Sequence, residues 1–382
     1  MRQLFAIVCS LFLGLFIVDA VISFADSSLL LFFDIHLLTG IRAVIGLAAM
    51  LFAVLIYCLM GLSPMIPKRH FIALALFDPL AILISIPFLI FHFNQTLWID
   101  WVISSCQVLL GLWVLYRFQR GLKFRWQLVP EEKLGPRTFS WWNLSGFVLA
   151  NLLVLFPAAI IYLMCLGAVA VDHFTDGFMS LRPGGLTVHV RKYVRNDGKT
   201  IQLFPMSHIA DAGFYRKVSQ SFPTNSIVLM EGVTDEQHLL TNKINYRRMA
   251  RSLGVAEQHE NFNPTRGTIV RADIDVDQFT TNTIDMLNII IFVHVHGVDA
   301  ESIRKLIEYP TQPDFQDELF NDLLQKRNQH VLSEIQTYLL QTDHVVVPWG
   351  VAHMPEIARE IQKSGFTLNE TQDITVIRFH GF

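Results

Sequence analysis

Residues Asp343–Phe366, DHVVVPWGVAHMPEIAREIQKSGF, read as one strand followed by one helix. Val345, Val346 and Val347 form an unbroken β-branched run, which suits a strand covered on both faces. Pro355 suits the first turn of a helix, where its missing N–H costs nothing. Ile357 and Ile361 fall on one helical face, and Gly365 stops the helix. His353 then sits in the turn just past the carboxyl end of a buried strand. In open α/β sheets that edge is where ligands bind. Gly350 lets the backbone turn tightly or approach a ligand. Taken alone, the segment reads more simply as a loop with a solvent-facing histidine.

Outward from this unit, the chain has two unlike parts. Of its 382 residues 52% are hydrophobic and only 16% charged, with a mean hydropathy of +0.39. Up to about Val171 the sequence is a series of long apolar runs, and from Asp172 onward it has mixed globular composition. Ten Lys and Arg stand against eight Asp and Glu before residue 173, and twenty against twenty-five after it. Neither part is basic enough to suggest a nucleic-acid partner. The second is long enough to bury a core as one α/β domain.

Five runs have the roughly 20 apolar residues that a bilayer crossing needs. They lie near Leu4–Phe24, Ile41–Leu62, Phe71–Phe93, Ile99–Tyr116 and Leu144–Val171. The first is too long for a signal peptide, and no small-residue cleavage site follows it clearly. Arg2, Lys68, Arg69, Arg117, Arg120, Lys123, Arg125, Lys133 and Arg137 collect on one side of these runs. Asp26, Asp34, Asp100 and the single cation Arg42 lie on the other. The bias predicts a cytoplasmic N-terminus and, after five crossings, a C-terminal domain outside the cytoplasm. Asp19 and Asp78 inside runs are expensive in a bilayer. They suit either a function, such as that of a transporter, or helix ends near the interface. Cys9, Cys58, Cys106 and Cys165 all fall in the runs, so the C-terminal domain has neither a disulfide nor a thiol nucleophile.

Residues 173–185 read as a linker, ending in Arg182-Pro183-Gly184-Gly185. Residues 186–382 then read as one α/β domain with a mostly parallel central sheet. Leu186–Val194 and Thr200–Met206 are strands around Asn196-Asp197-Gly198, a hairpin signal. Ser226–Met230, Thr268–Val270, Ile289–Val295 and Ile374–Phe379 read as further strands, the last of them antiparallel at an edge. Asn245–Leu253 and Phe315–Gln341 read as helices, with a helix also open for Ile289–Val295. If that run is a strand, His294 and His296 share one of its faces.

His208, Glu231 and His353 each stand at, or just past, the carboxyl end of an apolar strand. Parallel neighbours would aim all three into one crevice. Two imidazoles and a carboxylate can hold a divalent metal with positions left for water and substrate. On the long helix Leu324, Val331, Ile335 and Leu339 mark an apolar stripe, and Arg327 falls on it. An inward-facing cation needs a buried partner. A structural ion pair answers that need, and so does a guanidinium placed against a carboxylate or a developing oxyanion.

These pieces resemble the TraB/PrgY/GumN group, which includes the TIKI membrane-tethered metalloproteases and is similar in fold to erythromycin esterase and ChaN-like proteins. The resemblance covers the C-terminal domain only. It rests on IVLMEG with Glu231, on Arg327-Asn328 in KRNQHVL, on Gly350-Val351-Ala352-His353 followed by MPEI, and on MARSLGVAEQ at 249–258. The group's first Gly-x-x-His motif departs here to Pro205-Met206-Ser207-His208. The resemblance implies a membrane-anchored, metal-dependent hydrolase, peptidase-like, acting on a peptide or protein. His208, Glu231 and His353 would hold the metal or its water, Glu231 would serve in catalysis, and Arg327 would stabilise charge. The alternative is a membrane-held module that captures a peptide signal without cleaving it.

Overall fold

The structure, a computed structural model, describes all residues other than 122–123, 242–245, 298, 300, 302–303, 305–308, 310–313 and 380–382. Lys123 and the expected helix start at Asn245 therefore lie outside the described residues. The chain divides into two units, Met1–Leu166 and Gly167–Phe382.

The first unit is helical. It contains α1 (Arg2–Phe33), α2 (Thr39–Leu62), α3 (Lys68–Ala75), α4 (Phe77–Phe91), α5 (Thr96–Gln119) and α6 (Trp141–Ala150). A π turn, Asn151–Leu155, carries α6 into α7 (Phe156–Phe174). Among the described residues four stretches are long and apolar enough to cross a membrane: α1, α2, Phe93–Gln119 and Trp141–Phe174. The expected run Phe71–Phe93 differs, because α3 and α4 meet there at a bend of 43°. The cause is Pro79, whose ring cannot pass the carbonyl of Ala75 four residues back in a continuous helix. Counted as one broken span, the pair makes a fifth. Phe12, Phe16, Ile56, Met60, Phe71 and Leu115 are buried together at the centre of this unit. Leu152, Leu153, Val154, Ile160 and Ile161 are instead exposed. A helix that is apolar all round and uncovered suits a lipid environment.

The second unit packs helices on a sheet. Its strands are β1 (Met179–Arg182), β2 (Gly185–Val194), β3 (Thr200–Met206), β4 (Ile209–Ala210), β5 (Ile227–Met230), β6 (Ala256–Glu257), β7 (Thr268–Arg271), β8 (His344–Gly350) and β9 (Thr367–Arg378). Its helices are α8 (Ala212–Ser221), α9 (Arg247–Leu253), α10 (Gln258–Asn261), α11 (Thr281–His296), α12 (Phe315–Phe320), α13 (Lys326–Tyr338) and α14 (Met354–Lys363). The main sheet runs β1-β2-β3-β8-β5-β7, with β9 paired to β2.

That sheet is mixed, which corrects the mostly parallel expectation. β3, β8, β5 and β7 are parallel, whereas β1, β3 and β9 all run antiparallel to β2. Two hairpins explain the antiparallel half. One turns at Pro183-Gly184, so the expected linker contains a strand, and the other turns at Gly198 with φ +87°. Two prolines sit in the parallel half without losing ladder bonds wholesale. Pro205 lies past Leu203, where β3 has left β2, and Pro348 lies past Val346, where β8 has left β5. Each proline thus falls where its strand has one free side.

β8 is buried on both faces, as its valines imply. Val345, Val347 and Trp349 pack with Val331 and Ile335 of α13 and Ile357 and Ile361 of α14. Val346 packs on the opposite face with Phe214, Tyr215 and Val218 of α8. Ile289–Val295 lies within helix α11 rather than in a strand. The signal that decides it is Thr280, whose side-chain oxygen accepts from the N–H of Thr283 and caps a 16-residue helix. His294 therefore projects from a helix. The long helix expected over Phe315–Gln341 is α12 and α13, joined through a π turn at Asn321–Gln325.

Candidate functional site

The four parallel strands end at one edge. Met206 pairs with Gly350, and Met230 pairs with Arg271, while Val228 pairs with Val346, so β5 and β7 stop two residues short of β3 and β8. His208 follows β3 by two residues, Glu231 follows β5 by one, Asp273 follows β7 by two, and His353 follows β8 by three. The local sequence delivers all four to the same rim.

Glu231 is the centre of what lies there. Its Oε2 accepts from the Gly350 N–H at 2.5 Å, and its Oε1 accepts from Arg327 Nη2 at 2.8 Å. The first bond exists because β5 and β8 are neighbours. Arg327, from the inward face of α13, also donates through Nε and Nη2 to Asp273, at 3.0 and 2.7 Å. The Asp273 side chain is fully buried and takes the Gly232 N–H at 2.9 Å as well. One guanidinium is therefore clamped between two carboxylates, above the ring of Trp349 at 5.5 Å. Burial opposes its charge, but Asp273 and Glu231 together raise its pKa above the ordinary arginine value.

His353 completes the group. Its side chain is 5% exposed, and its Nε2 lies 3.5 Å from Glu231 Oε1. Its Nδ1 is 2.7 Å from Asn328 Oδ1, and Asn328 Nδ2 donates to Glu356 Oε2 at 2.5 Å. The second bond settles the first. A carboxylate can only accept here, so the amide must turn its NH2 toward Glu356 and its oxygen toward His353. Nδ1 then carries the proton and Nε2 is bare. Burial pushes the His353 pKa down to about 4, with the Glu231 charge working against the fall. At neutral pH a bare nitrogen and a carboxylate oxygen thus face each other across 3.5 Å, an arrangement with room between acceptors for a cation or a polarised proton.

His208 stands apart. β8 separates β3 from β5, which puts two interstrand spacings, about 10 Å, between their ends. The His208 ring is exposed and stacks on Tyr246, with centroids 4.8 Å apart and planes at 6°. His294 meets the same Tyr246 ring edge-on at 5.5 Å. His208 is near enough for its charge to weigh on the His353 pKa. The structure thus joins Glu231, Arg327 and His353 directly and holds His208 on Tyr246.

As a metal shell, the residues fit at two of three positions. His353 offers a bare nitrogen with its tautomer fixed, the usual preparation of a ligating histidine. Glu231 faces the same point. Among the described residues no group of three or more His, Cys, Asp or Glu side chains is arranged to hold a metal ion.

Sequence reading missed three participants. Asp273 follows a strand end as the other three do, and the same rule would have found it. Glu356 is three residues after His353, one helical turn on, a spacing that places it beside the histidine. Tyr246 carried no signal, because its role comes only from the path of the chain after β5. Comparison with protein-family models, with curated proteins and with solved structures gives no match to this chain.

Proposed function

We propose that the C-terminal unit is a hydrolase of the kind the TraB/PrgY/GumN resemblance implies, carried on membrane-spanning helices and acting on a peptide or protein. The observation that carries this reading is Glu231 held between Arg327 and the Gly350 N–H while facing the bare Nε2 of His353. A carboxylate has about four lone-pair positions, and two remain here to take a proton from water. Arg327 is placed to neutralise an oxyanion formed beside Glu231. In this reading His353, Glu231 and His208 would hold a divalent ion, which would supply a Lewis acid.

The proposal includes five crossings, with α3 and α4 counted as one, a cytoplasmic N-terminus, and the C-terminal unit outside the cytoplasm. The Lys and Arg bias supports that orientation. A reporter fused to the C-terminus that works only in the cytoplasm would overturn it.

The test of activity uses the full chain in detergent, a mixed peptide library and 18O-labelled water, with and without chelator. Peptide products carrying 18O, lost on Glu231→Gln and on chelation, are the expected result. A second reading, a peptide-binding module without chemistry, draws on both Glu231 oxygens already taking protein N–H groups. Retention of peptides without cleavage, in every metal tried, would favour it and sink the hydrolase.

A further inference from the structure

We propose that the helical unit binds a small organic cation, an ammonium group on an apolar body, with Asp19 and Asp78 as its counter-charges. The inference concerns the first unit alone and does not rest on the hydrolase reading. A chamber of about 680 Å3 opens between α1, α2, α4 and α5, within the roughly 300–1,000 Å3 of small-molecule sites. Its walls are largely apolar, with Leu30, Leu47, Met50, Phe77, Ile82 and Ile86 among them. Its polar groups fall into two sets.

The first set is already satisfied. Arg42 binds Asp100 through two bonds of 2.7 Å and reaches Asp26 at 3.4 Å. Thr39 also donates to Asp26. That guanidinium makes its hydrogen bonds to Asp100 and Asp26, and only its charge reaches Asp19.

The second set is not. Asp19 is 4% exposed. Its Oδ2 accepts from Gln107 Nε2 at 2.7 Å, but its buried Oδ1 has no hydrogen-bond partner among the described residues. Asp78 lines the same chamber, is close enough to Asp19 for the two charges to interact, and makes no hydrogen bond or ion pair among the described residues. A buried carboxylate oxygen without a partner is costly, and ionisable groups inside apolar helices mark ligand or ion paths. The chain also breaks here. Asp78 lies in the first turn of α4, just past the bend from α3, and broken helices lining a cavity are a recurrent way to build a site at membrane depth.

The class of ligand follows from the walls. Hard metal ions want six or more oxygen ligands for calcium, or a tight octahedron for magnesium. Asp19 and Asp78, with the hydroxyls of Ser23 and Ser85 in the same lining and one Asp19 oxygen already on Gln107, do not supply either. An ammonium ion carrying an apolar body matches the charge and the walls together.

The experiment is calorimetric titration of the full chain in dodecyl maltoside, a detergent without amines. Hexylammonium chloride is the probe, hexanol its neutral twin, and sodium chloride the inorganic control. Saturable binding of hexylammonium is expected, weakened at least tenfold in Asp19→Asn, where Asn can still accept from Gln107. Asp78→Asn should weaken it as well. A Cβ at Gly46 would lie 3.4 Å from Asp19 Oδ1, so Gly46→Leu should block binding without a change of charge. If Asp19→Asn does not fold, as judged by circular dichroism and elution, the other two variants decide. Displacement of the probe by phosphatidylethanolamine assigns the cation to a lipid headgroup, and no displacement assigns it to a free amine. No binding of hexylammonium, equal binding by hexanol or by sodium chloride alone, or unchanged affinity in the folded variants would overturn the proposal.

Discussion

Asn328 determines which nitrogen of His353 is bare. Its NH2 is committed to Glu356 at 2.5 Å, so its oxygen faces Nδ1 at 2.7 Å and holds the proton there. The three residues come from a helix interior, a helix first turn and the turn before it. Their order, carboxylate to amide to imidazole, is that of an outer shell acting on an inner one.

Removing the anchor should therefore change His353 without touching it. Glu356→Ala frees the Asn328 amide to turn over and lets the imidazole proton move to Nε2. The 15N shifts of the two ring nitrogens report the tautomer directly, and a mixed population is expected. Activity should fall by roughly 10- to 100-fold, the usual cost of losing such a partner. Glu356→Gln keeps an acceptor and should recover most of both. Unchanged ring-nitrogen shifts in the Ala variant would show that Asn328 does not need Glu356.

The depressed His353 pKa makes an acid-sensitive fold. In the folded chain the group titrates at about 4, against an ordinary value of 6.5. Below pH 6.5 the unfolded chain takes up a proton that the folded chain refuses. Its stability contribution is thus fully present above about pH 6.5 and is lost as pH falls toward about 4. At 1.36 kcal/mol per unit the loss approaches about 3 kcal/mol. Hydrogen exchange of the β8 amides should quicken across that window, and His353→Gln should flatten the slope. An equal slope in that variant would assign the acid sensitivity to other groups.

Gly350 offers a steric test. A Cβ there would meet Glu231 Oε2 at 3.3 Å and Oε1 at 3.5 Å. Its φ of −51° is open to any residue, so Gly350→Ala adds crowding without backbone strain. The carboxylate must shift by a few tenths of an ångström, away from the Gly350 N–H. Activity should fall while stability drops by only about 1 kcal/mol, the low end of overpacking costs. A loss of stability with full activity would place Glu231 outside the chemistry.

Much of this was legible because strand ends obey a local rule. The β-branched run at 345–347 gave β8, Pro355 gave the start of α14, and Asn196-Asp197-Gly198 gave the turn between β2 and β3. Those signals lie within a few residues. What the sequence hid was long-range. That β8 inserts between β3 and β5 sets His208 apart from Glu231, and no stretch of chain announces that order. The mixed sheet has the same origin, since β9 returns about 180 residues later to lie antiparallel on β2. At Ile289–Val295, where a strand and a helix were both open, the deciding signal lay outside the run. Its β-branched composition was read, but the cap at Thr280, nine residues earlier, was not.

The clamp on Arg327 should prove the most sensitive point of the fold. Its side chain is 11% exposed and lies between the side chains of Asp273, 0% exposed, and Glu231, 13% exposed. Arg327→Met keeps an apolar body against Trp349 and Val331 but leaves two carboxylates near each other with no cation between them. Breaking a buried pair in this way costs about 3–5 kcal/mol, mostly because the stranded charge remains. Neutralising the stranded partner should restore much of it. Asp273→Asn combined with Arg327→Met is thus expected to be more stable than Arg327→Met alone, by about 1–3 kcal/mol. Activity should stay lost in both, since the group facing an oxyanion is gone from each. Denaturant unfolding of the three proteins measures the coupling. If the double variant is no more stable than the single, Asp273 and Arg327 do not stabilise each other, and the ion-pair account of this buried arginine fails.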